Sequence, residues 1–131
     1  DKKLIDDLLT WMEKNKADYT NTFCYLMNIS IGNSSLYDDK EFINWSNNWK
    51  NRIFINNNSK DKSLELMKKT NPIIIPRNHK VEEALKAANE NDLEVMNRLL
   101  SNLDNPYSEQ KDIEDYQLPS NNEGYQTFCG T

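Results

Sequence analysis

With 131 residues the chain has the length of one domain, and a 37% hydrophobic content at a mean hydropathy of −0.89 allows only a modest core. A net charge of −5 and a pI near 4.9 argue against nucleic acid and against an anionic membrane surface, since both recruit clustered Lys and Arg. No apolar run approaches the roughly 20 residues of a membrane span, and only three glycines favour helix over a turn-rich β architecture.

Residues 1–16 read as an amphipathic helix, with Leu4, Ile5, Leu8, Leu9 and Met12 at helical spacing and Trp11 beside them. The chain opens on Asp1 rather than Met, and its first residues carry no secretory signal pattern. This fits a piece of a longer protein that stays in the reducing cytoplasm. A second helix starts near Asp18 or Thr20, either of which can cap it, and buries Phe23, Leu26 and Met27. Cys24 lies at the core edge as a small hydrophobe. Gly32, Asn33 and the neighbouring serines make Ser30–Asp39 a loop.

Asp39 is placed to cap a third helix whose buried face carries Phe42, Trp45, Trp49 and Ile53. Trp45 and Trp49 are read as core, roughly 150–250 Å² each when covered; a base-stacking role would need basic neighbours that are scarce here. Asn56–Ser59 reads as a break. A short fourth helix then points Leu64 and Met67 inward and stops before Asn71-Pro72.

Next comes Asn71-Pro72-Ile73-Ile74-Ile75-Pro76-Arg77-Asn78-His79. Pro72 and Pro76 disfavour helix at the residues before them, so the isoleucines run extended. They are apolar and β-branched, and the segment reads as a buried crossover between two helical halves. Arg77 can bind a carboxylate or phosphate, or tie down helix C-terminal carbonyls; the second role is preferred. Asn78 is placed as the N-cap of the next helix, in which Val81, Ala84, Leu85 and Ala88 form a narrow stripe with two alanines that permit close approach. Asn91 or Asp92 caps a last helix through Leu93, Met96, Leu99, Leu100 and Leu103, ended by Asn105-Pro106 and paired with its predecessor in a hairpin. The fold is therefore all-α: an irregular bundle of about six helices over 1–107, with an extended Ile-Pro crossover. Residues 108–131 lose the periodicity and form an extended tail, parts of which dock through isolated aromatics such as Tyr116.

Little in the chain looks catalytic. There is no Gly-rich phosphate loop, His79 is the only histidine, and Cys24 and Cys129 have no metal-ligand spacing, so neither a metal site nor a catalytic residue is assigned. Cys129, third from the end, is the one redox candidate.

Asp18-Tyr19-Thr20-Asn21-Thr22-Phe23, Trp45 with Trp49 and Arg52, Met67 before Asn71-Pro72, Arg77-Asn78, the Ala84–Ala88 helix and Asn105-Pro106-Tyr107 appear in the order of the selenoprotein O family, the bacterial YdiU proteins, and the chain resembles its C-terminal part. Cys129 matches the family's near-terminal Cys or selenocysteine; the Ser30–Asp39 loop is shorter than the family's. The resemblance implies a parent with a kinase-like, pseudokinase fold that transfers AMP from ATP to protein hydroxyls with Mg²⁺ or Mn²⁺. It also implies that the nucleotide and metal residues lie upstream, so this chain binds no cofactor itself. Its partners would be its own N-terminal kinase-like core and, through the parent, protein substrates. Two other readings stand beside this one: an autonomous helical interaction module, and a redox-sensing tail acting through Cys129.

Overall fold

The structure, a computed structural model, describes residues 1–57 and 60–120. They form α1 (Lys2–Asn15), α2 (Tyr19–Leu26), a 3₁₀ turn (Ser35–Asp38), α3 (Lys40–Asn57), α4 (Lys60–Thr70), α5 (Asn78–Asn89), α6 (Glu94–Leu103) and the single-turn α7 (Glu114–Gln117). Among the described residues there is no strand, and no helix is long and apolar enough to cross a membrane. The all-α expectation holds. The break expected at Asn56–Ser59 starts later, because α3 continues to Asn57; Asn58 and Ser59 lie outside the described residues. The chain divides into two compact units at the Asn71–Pro72 step, where the crossover begins.

In the first unit, Asp1–Asn71, helix ends are fixed by local chemistry. Lys16 ends α1 in the left-handed region (φ 51°), and the Ala17 N–H bonds back to the Met12 carbonyl at 2.9 Å. Asp18 caps α2, accepting the Asn21 N–H at 2.9 Å. Asp39 Oδ2 accepts the Phe42 N–H at 3.1 Å to cap α3, and the Trp11 Nε1–H at 2.8 Å. One carboxylate oxygen thus starts α3 and fastens α1 to it. The Trp11 hydrogen bond, then the Phe42 N–H, hold the Asp39 carboxyl below its usual range.

The core that these helices close over is aromatic. Phe42 is 1% exposed and has ring neighbours Trp11 at 4.7 Å, Tyr37 at 5.1 Å, Tyr25 at 5.8 Å and Trp45 at 5.9 Å. Leu8, Met12 and Leu26 complete it. Cys24 and Met27 are fully enclosed, deeper than the edge position expected for Cys24. Tyr37 departs from a simple reading of Ser30–Asp39 as loop: the 3₁₀ turn drives its ring inward, stacked on Tyr25 at 4.3 Å. The proton on Thr22 Oγ1 goes to the Asp18 carbonyl at 2.7 Å, so the Tyr37 hydroxyl donates to Thr22 Oγ1 at 3.0 Å. Burial pushes the Tyr37 phenol above its ordinary pKa.

In the second unit, from Pro72 onward, α5 and α6 pack on each other, and Ala84 of α5 and Leu99 of α6 are buried. The link between them turns at Asn91 in the left-handed region (φ 64°), and Asp92 Oδ1 accepts the Glu94 N–H at 3.0 Å. Asn78 is not the cap of α5. The extended residue that opens the helix is Arg77 (φ −64°, ψ 134°), whose carbonyl takes the Lys80 and Val81 N–H groups, both at 3.0 Å. Pro76 is exposed and the ladder starts one residue beyond it, which places Asn78 in the first turn.

Candidate functional site

Apart from Cys129, the residues singled out from sequence fall into one group in each unit. In the second, the crossover is buried at Ile73 and Ile74, both 1% exposed. A buried extended segment with no sheet beside it must find partners for its peptide groups elsewhere. The Ile73 N–H donates to the Pro106 carbonyl at 2.8 Å, in the turn that follows α6. The Ile73 carbonyl accepts from Gln117 Nε2 at 3.1 Å. Arg77, buried at 7% exposure, donates from Nη2 to the carbonyl of the same Gln117 at 3.2 Å. That carbonyl ends α7, so Arg77 ties down a helix C-terminus. Ile113 is buried beside α7, and Lys80 Nζ lies 5.5 Å from the centre of the Tyr116 ring. The described part of the tail, residues 108–120, is thereby fastened to the crossover.

His79 sits in the first turn of α5. Burial, then the charges of Lys80 and Arg77, hold its imidazole below the usual value, so it is neutral at pH 7. The charge of Glu83 acts in the opposite direction and is outweighed. Pro72 is half-buried; with Pro76 it sets the path of the crossover.

In the first unit, Trp45 and Trp49 stack at 5.8 Å with ring planes 10° apart. Trp45 Nε1 donates to the Leu4 carbonyl at 2.7 Å, tying α3 to α1. Trp49 is half-buried and lines three depressions, of which two bear on the site. One, of about 430 Å³, is of mixed character, with Asn28, Ser30, Ser46 and Lys50 beside Ile29 and Ile31. Another, of about 400 Å³, is an apolar groove lined by α1, α2, α3 and α4.

Sequence periodicity missed Gln117, a polar residue in a segment without pattern, and it missed that Ile5 and Leu9 stay exposed. Cys129 lies outside the described residues. Among the described residues no three His, Cys, Asp or Glu side chains come together where a metal ion could be held. The sequence has no Gly-rich phosphate loop, and no step of nucleotide chemistry is assigned to the described residues.

A family model described as protein adenylyltransferase SelO matches residues 1–104. Over its whole length the chain is 50% identical to a protein nucleotidyltransferase YdiU of Pelagibacter ubique. It is 49% identical, again over its whole length, to a protein of the same name from Bacillus cereus. It spans 28% of the length of each relative. The chain belongs to the protein adenylyltransferase SelO family.

Proposed function

We propose that this chain is the C-terminal helical part of a longer cytoplasmic protein adenylyltransferase and braces the kinase-like core that carries the chemistry. The single observation that supports this is near-50% identity, along the whole chain, to nucleotidyltransferases more than three times its length. In this reading ATP with Mg²⁺ or Mn²⁺ is bound by the core, AMP passes to hydroxyl groups of protein substrates, and the two units supply rigid helical surface. The Trp45–Trp49 stack and the Pro72–Pro76 crossover with Arg77 and Asn78 are structural, and Cys129 is the family's redox-linked thiol.

The test is transfer of label from ATP tagged on its α-phosphate to protein, for the complete polypeptide encoded by the gene and for the 131-residue chain. Only the complete polypeptide should label protein. Label transfer by the short chain would overturn the reading. In the same assay, Cys129→Ser in the complete polypeptide should remove the response of activity to thiol oxidants while leaving reduced activity in place. An unchanged oxidant response would remove Cys129 from the account.

A further inference from the structure

The apolar groove of the first unit is a surface that the described residues of that unit leave uncovered. Four helices line it, with Ile5 and Leu9 from α1, Tyr19 and Phe23 from α2, Trp49 from α3 and Leu66 from α4. Ile5 is 59% exposed, Tyr19 61% and Leu66 66%. These are not scattered surface residues. Ile5 and Leu9 stand one helical turn apart on α1, Tyr19 packs on Phe23 at 4.8 Å, and Leu66 adjoins half-buried Met67. A contiguous apolar groove of this kind on a polar chain marks a binding surface.

We propose that the groove seats an apolar helix face belonging to the remainder of the complete polypeptide; this rests on the reading of the chain as part of a longer adenylyltransferase. Nearly three quarters of the length of the relatives lies outside the region that this chain matches, which supplies the occupant. A second copy fits less well, because each copy carries a net charge of −5 and self-association would bring like charges together. The shape suits a helix: α1, at 14 residues, gives a wall about 21 Å long, enough for anchors at i, i+3, i+4 and i+7.

Hydroxyl-radical footprinting read by mass spectrometry tests this without altering the groove. Oxidation of Leu9, Tyr19 and Leu66 should be at least fivefold slower in the complete polypeptide than in the 131-residue chain at matched radical dose. Leu66→Arg, a change at an exposed position, should restore Tyr19 oxidation in the complete polypeptide. Equal rates in the two proteins would overturn the proposal. So would groove residues already protected in the short chain, with protection that grows with concentration identifying a second copy as occupant. Footprinting does not depend on catalysis. Label transfer measured on the same preparation therefore separates failure of this proposal from failure of the adenylyltransferase reading.

Discussion

Ile74→Asp is the sharpest perturbation of the second unit. Ile74 is 1% exposed, in a segment whose neighbour Ile73 is bonded on both sides by the Pro106 carbonyl and the Gln117 amide. Truncating a buried Ile costs roughly 2–5 kcal/mol through lost burial and the residual cavity. An aspartate there adds an electrostatic cost. Left charged it is desolvated; kept neutral at pH 7 it must hold a proton about 3 pH units above its unfolded pKa of roughly 3.9, at about 1.4 kcal/mol per unit, or about 4 kcal/mol. The sum, about 6–9 kcal/mol, matches the whole stability of a typical domain, about 5–15 kcal/mol. The folded-state pKa of the new carboxyl is raised, so the electrostatic part is fully present above that pKa and disappears as pH falls below 3.9. Urea unfolding followed by far-ultraviolet circular dichroism at pH 7 and pH 4 reads both parts. All three tryptophans lie in the first unit, so indole emission shows which unit has unfolded. At pH 7 the variant should lack the α5–α6 helical signal, and relative to the isosteric Ile74→Asn it should recover stability on acidification. A variant that unfolds like its parent would show that the crossover is not buried.

Phe42→Ala removes a ring with four aromatic neighbours and should cost about 3–5 kcal/mol, read as a lowered urea midpoint in indole emission; a loss below about 1 kcal/mol would contradict the aromatic core. His79, the only histidine, gives an isolated imidazole signal in proton NMR and should titrate below 6.5. Because its folded pKa lies below the unfolded one, its contribution to stability is present above pH 6.5 and is lost as pH falls toward the folded value, where the unfolded chain takes up the proton first. A titration at or above 6.5 would contradict the half-buried setting of His79 in the first turn of α5.

What was legible in sequence follows from short-range chemistry. Asp18 and Asp39 stand three residues before the N–H groups that they accept, and both are found capping. Phe42 and Trp45 at helical spacing gave the buried face of α3, and prolines on either side of three isoleucines gave a buried extended segment. The offset at Asn78 is a one-residue error in a place where Pro76 constrains the path but does not select the first helical residue. Tyr37 and Gln117 were out of reach for another reason. Each is buried by a contact distant in sequence, Tyr37 with Thr22 and Gln117 with Ile73, in segments with no repeating pattern to reveal an inward face. The exposure of Ile5 and Leu9 was equally invisible, because periodicity tells which face of a helix is apolar and not what covers it.

The central claim is that these helices belong to an adenylyltransferase whose nucleotide site is built by other residues. Calorimetric titration of ATP with Mg²⁺ into the 131-residue chain, and into the complete polypeptide, tests it most directly. The account predicts a flat titration for the chain and a saturable one for the complete polypeptide; saturable binding to the chain alone would contradict it.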